Sequence, residues 1–83
     1  MHFKIESLYN AGAHNYVLVS QVGSGNFTLL DDSFLGGVAI LSWVDRPRKL
    51  KSDGSLDLSA YVFCFKPGVD YSVLSVGDLV ELY

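Results

Sequence analysis

Cysteine is nearly missing from this chain: in 83 residues there is one, Cys64. A single cysteine excludes an intramolecular disulfide framework. Small secreted domains generally rely on such frameworks, so a reducing, cytoplasmic setting is the expectation. Histidine is limited to His2 and His14. A zinc site draws about three or four ligands from His, Cys and carboxylates, and no such set lies close in this sequence, so neither metal nor cofactor is expected. Long apolar runs are missing too. The longest, residues 36–41 and 60–65, are far short of the ~20 residues that cross a bilayer as a helix. Residues 1–6 carry no basic segment leading into an apolar one, so no secretory signal is expected and no membrane partner is assigned. Helical periodicity is absent. No stretch of ten residues repeats apolar positions at i, i+3, i+4 and i+7. Little or no helix is expected, with a single 3₁₀ turn near residues 70–74 as the one exception allowed for.

What remains is β-rich. The chain is 49% hydrophobic and 18% charged, with a mean hydropathy of +0.28, too apolar for disorder. Its length gives one domain, residues 1–83, which buries only about 60–65% of the surface its unfolded form exposes. Residues 3–9 alternate, with Phe3, Ile5, Ser7 and Tyr9 on one face and Lys4, Glu6 and Leu8 on the other. A loop follows over residues 10–15. Tyr16-Val-Leu-Val-Ser-Gln-Val22 is a strand by its β-branched content. After Gly23-Ser-Gly-Asn26, residues 27–30 read as the return arm of a hairpin. Gly36-Gly37 precedes a strand over 38–44, which Pro47 stops. Residues 58–65 form the most apolar strand, expected at the centre, and Lys66-Pro-Gly68 ends it. Residues 69–76 are irregular or hold a turn, and residues 79–83 close the set.

Five or six strands joined by short links predict an all-β domain, a small barrel with mixed or antiparallel pairing. Closure is favoured over a sandwich because a chain this apolar cannot safely leave edges open. The expected core is Ile5, Val17, Val19, Phe27, Val38, Ile40, Leu41, Val62, Phe63, Phe65, Val76, Leu79 and Val80.

No residue set amounts to a catalytic site, and a non-enzyme is expected. Gly23-Ser-Gly25 leads into a strand rather than a helix, so it lacks the helix N-terminus that cradles a phosphate. The neighbours Asp31 and Asp32 point to opposite faces in an extended chain, which does not make an acid/base pair. Cys64 reads as a small core hydrophobe, yet strand parity sets it opposite Phe63 and Phe65, which leaves an outward position open.

Charge distribution is more telling than its total of −3. Four of the six cations, Arg46, Arg48, Lys49 and Lys51, fall within six positions. The rest of the chain sets nine acids against Lys4 and Lys66, a formal −7. A Pro47-stiffened basic loop on an acidic body can meet an acidic protein surface or position phosphates. Trp43, just before it, is by its type a core residue, yet at a strand end beside cations it also suits a binding rim. The candidate binding residues are therefore Trp43, Arg46, Arg48, Lys49 and Lys51.

Two segments carry a family likeness. Phe3-Lys-Ile-Glu-Ser-Leu-Tyr9, then Gly12, then Tyr16-Val-Leu-Val-Ser-Gln-Val22 resembles the opening strand pair of the β-barrel second domain of elongation-factor-type translation GTPases. Leu74-Ser-Val-Gly-Asp-Leu-Val-Glu-Leu82 resembles that domain's Val-Gly-Asp, Val-Glu-Leu segment. The resemblance implies a similar barrel, which in that family docks against other domains and RNA. It transfers no catalytic residue, and no GTPase domain accompanies it. The function expected is a non-enzymatic interaction module, with a protein partner or homo-oligomer favoured over nucleic acid. The alternative is an RNA- or nucleotide-binding barrel that uses residues 46–51.

Overall fold

A computed structural model describes every residue except Lys49. Among the described residues there is no helix, and six strands make one antiparallel sheet. They are β1 (His2–Ala11), β2 (His14–Val22), β3 (Phe34–Leu35), β4 (Val38–Asp45), β5 (Ala60–Phe65) and β6 (Leu79–Glu81). Their order is β3-β4-β5-β2-β1-β6. The two ends of this order meet. Phe34 and Tyr83 exchange both backbone hydrogen bonds, at 2.6 and 3.0 Å, and the Gly36 N–H donates to the Glu81 carbonyl at 2.9 Å. The sheet is thus drawn into a small barrel, which leaves few open edges.

The turns follow from glycine. Gly12-Ala13 joins β1 to β2, with a positive φ only at Gly12, the type II′ pattern of two-residue hairpins. The first loop is therefore shorter than the six residues expected, because pairing persists to Ala11 and His14. Gly36-Gly37 joins β3 to β4 with both φ values positive, the type I′ pattern. Gly36 is required twice over, since a Cβ there would sit 2.9 Å from Leu74 Cδ2 and 3.0 Å from Val80 Cγ1.

The core is formed by Phe3, Ile5, Val17, Val19, Leu35, Val38, Ile40, Phe63, Phe65, Leu74 and Val80. β5 is central as expected, between β4 and β2, and four of its six residues from Val62 to Phe65 are buried in succession. At one end of the barrel Phe3, Phe27, Tyr61 and Phe63 interlock, mostly edge to face, with centroids 4.9–6.4 Å apart.

Some expectations are corrected. Residues 27–30 are not a return arm. β2 already has β1 on one side and β5 on the other, so the chain leaves the sheet after Val22 and inserts Phe27 against the aromatic cluster. A β-bulge between Ile5 and Ser7 breaks the alternation of β1, so Leu8 joins the inner face and Tyr9 turns outward. Val76 and Leu79 are exposed rather than buried. Leu79 pairs with Lys4 on the outer face while Val80 pairs with Phe3, and period two admits only one of the two neighbours to the core. Leu41 is only half-buried, for the reason given next. The turn at residues 71–74 is a single i→i+3 bond, Leu74 N–H to the Tyr71 carbonyl at 3.0 Å.

Candidate functional site

β4 and β5 lose register between Ile40 and Val44. Ile40 faces Phe65 and Val44 faces Phe63, so four residue steps on β4 oppose two on β5. The surplus bulges outward and exposes Ser42, Trp43, Val44 and Asp45. Bulges of this kind re-aim side chains, and here the one re-aimed is the only tryptophan.

Trp43 completes a row of aromatic rings on the outer wall. Tyr9 stacks on Tyr16 at 5.5 Å and 24°, and Tyr16 meets Trp43 at 5.6 Å. His14 adds an edge contact to Tyr16 at 6.2 Å. Tyr9 is 43% exposed and Trp43 42%. The row crosses the sheet, because Tyr9 on β1 pairs with Tyr16 on β2, and Tyr16 with Cys64 on β5.

This geometry explains Cys64. Tyr16 and Trp43 come from β2 and β4, the two neighbours of β5. Adjacent strands lie about 4.8 Å apart, so β2 and β4 are about 10 Å apart at the backbone. Rings that approach to 5.6 Å must lean over β5. Cys64, opposite Tyr16 and on the outer face, lies beneath that roof and is only 3% exposed. Both sequence readings of Cys64 are thus met, since it is outward by parity and buried by neighbours. Burial pushes its thiol pKa above the usual value. Tyr9 is likewise raised, first by partial burial and then by the nearby charges of Tyr16 and Asp45.

Beside Trp43 lies an open cleft of about 420 Å³, lined by Asp31, Leu41, Ser42, Trp43 and Lys66. The Asp31 side of it is held by a turn, in which Ser33 N–H donates to the Leu30 carbonyl at 3.1 Å and the buried Ser33 Oγ accepts from Leu30 N–H at 2.8 Å. Ser42 Oγ donates to Asp31 Oδ1 at 3.0 Å, and the Lys66 ammonium donates to the Asp31 carbonyl. The cleft therefore offers an aromatic wall, a carboxylate and an ammonium.

The sequence-predicted site residues part company. Arg46, one residue past the end of β4, turns to Tyr61 rather than to Trp43. Its guanidinium lies 4.8 Å from the Tyr61 ring centroid and donates to the Tyr61 hydroxyl at 2.6 Å and the Leu58 carbonyl at 3.3 Å. Arg46 thus closes over the internal aromatic cluster. Arg48 and Lys51 are exposed. Lys51 starts a small turn, with Gly54 N–H donating to its carbonyl and Leu50 bridging Leu56. Lys49 lies outside the described residues. Sequence reasoning missed Tyr9, Tyr16, Asp31 and Lys66. The tyrosines had a signal in the hairpin at Gly12, whose two-residue turn pairs them directly, while the bulge farther along β1 sets the face they share.

Among the described residues no group of three or more His, Cys, Asp and Glu is placed to hold a metal ion. Comparisons with family models, curated proteins and solved structures found no match.

Proposed function

We propose that this barrel is a non-enzymatic protein-binding module that works in a reducing, cytoplasmic setting, and that its contact surface is the outer wall carrying Tyr9, Tyr16 and Trp43. One observation carries this reading: Tyr9, Tyr16 and Trp43 form a contiguous row on the outer face, with Tyr9 and Trp43 exposed at its two ends, in a molecule whose largest ring cluster is internal. Tyr and Trp are the residues that most often anchor protein interfaces, because they offer large rigid area with a polar tip. The bulged cleft beside Trp43 gives that surface relief, with Asp31 and Lys66 on its rim as polar contacts.

The alternative, an RNA- or nucleotide-binding barrel that uses residues 46–51, has less support. Arg46 is taken up by Tyr61, and the carboxylates of Asp31 and Asp45 lie close to the exposed aromatic row, where phosphates would be repelled. The likeness to translation-factor barrels is compatible with either reading.

A photo-crosslinking residue placed at Trp43, with a second version at the exposed Val73 as control, tests the proposal in cells that make the protein. The expected result is a protein adduct from position 43, resistant to ribonuclease and weaker from position 73. Equal adducts from both positions, no adduct, or a ribonuclease-sensitive adduct contradicts it.

A further inference from the structure

β3 is much shorter than β4. Only Val38 and Ala39 of β4 pair with β3, and the Ile40 N–H then bonds the Ser33 carbonyl. Among the described residues, β4 from Trp43 to Asp45 has β5 on one side and no strand on the other. The side chains along this overhang are exposed, including Trp43 and Val44 at 42% and 44%. A free strand edge flanked by exposed apolar groups is a template for another strand.

We infer that the occupant of this edge is a second copy of the chain, with the two β4 strands pairing antiparallel about a two-fold axis near Val44. This deepens the protein-contact reading above and rests on it. Three features are self-complementary. Antiparallel pairing sets Val44 against its own copy on one face, and Trp43 directly opposite the partner's Asp45 on the other, with no like charges opposed. It also sends the chain that follows β4, with Arg48 and Lys51, back along the partner's Ser42 and the turn that bears Asp31 and Asp32. The one basic segment of the chain thereby meets an acidic part of an otherwise acidic body, beside the cleft of Asp31, Ser42 and Trp43. Pro47 has no N–H to donate, so the ladder ends there. A two-fold contact uses both edges at once and closes as a dimer rather than growing into a fibre. The short ladder makes this a weak, concentration-dependent pair.

Analytical ultracentrifugation of the full chain over a wide concentration range, at low and high salt, gives the test. Wild type should shift from monomer to dimer as concentration rises, and salt should weaken the pair. Arg48→Glu with Lys51→Glu, and separately Asp31→Arg with Asp32→Arg, should each raise the dimer dissociation constant by roughly tenfold or more. Mixing the two variants should restore pairing, which a fold defect in either cannot mimic. A wild type that stays monomeric throughout overturns the inference and leaves the binding of a different protein at Trp43 standing. A dimer indifferent to these exchanges also overturns it. If that dimer is equally indifferent to Trp43→Ser and no adduct forms at position 43, the wider reading falls as well.

Discussion

The molecule carries two aromatic clusters built from the same residue types and put to different uses. Inside, Phe3, Phe27, Tyr61 and Phe63 pack mainly edge to face around a barrel end, with Phe3 and Phe63 fully buried. Outside, Tyr9, Tyr16 and Trp43 lie in a line across four strands and remain open to solvent on one side. The internal rings complete a core that a chain this short cannot spare. The external row roofs Cys64 and keeps the exposed area of Tyr9 and Trp43 for contact. The cations of the basic segment divide the same way. Arg46 is committed to Tyr61, while Arg48 and Lys51 face solvent.

If that division is right, substitutions should separate cleanly into those that harm folding and those that harm contact. The largest effect should come from Phe63→Ala. Removing this ring from its three aromatic neighbours should cost about 3–5 kcal/mol in denaturant titration, enough to leave a small domain barely folded. Next comes the β3–β4 turn. Gly36→Ala meets both a positive φ of 59° and the side chains of Leu74 and Val80, so a loss of about 2–3 kcal/mol is expected. Gly37→Ala has the strained φ of 83° but open space, and should lose about 1 kcal/mol. Equal losses at the two glycines would show that the close approach to Leu74 does not matter. Arg46→Gln should then lower stability by about 1 kcal/mol, with Tyr61→Phe recovering no additional loss in the double variant.

The smallest effects are in pH dependence. Folding raises the thiol pKa of Cys64 above its ordinary 9.0, so the folded state holds that proton longer than the unfolded one. Stability is intact below pH 9.0 and declines as pH rises toward the folded value. Cys64→Ala should flatten this alkaline limb. At the acid end, hydrogen bonds from Ser55 and Ser72 hold Asp53 and Asp70 below the ordinary 3.8. Their contribution is present above that value and is lost as pH falls through the lowered pKa. Asp70→Asn should flatten that limb, read as the urea midpoint against pH.

Much of the fold was legible because period two is a local signal. β2, β4, β5 and β6 follow directly from runs of β-branched and aromatic residues, and β5 is central because it is apolar on both faces. What was not legible depends on contacts far apart in sequence. β3 has only two residues, too few for any periodicity, and exists because Gly36-Gly37 and Tyr83 hold it. The bulges in β1 and β4 shift parity without a composition signal, so Tyr9 could not be placed outward in advance. Trp43 stood out because it is the only tryptophan and sits at a strand end. Its grouping with the basic loop was only sequence proximity, and the turn of Arg46 toward Tyr61 separates them in space.

The central claim is that the outer row serves contact and the inner cluster serves the fold, and Trp43→Ser tests it in one protein. Two quantities should be measured on that variant: its unfolding free energy, and its crosslinked yield from a photoreactive residue at Tyr9. The account predicts a stability loss of no more than about 2 kcal/mol, faster alkylation of the unroofed Cys64, and loss of the adduct. A variant that unfolds as badly as Phe63→Ala, or one that keeps its adduct undiminished, would contradict it.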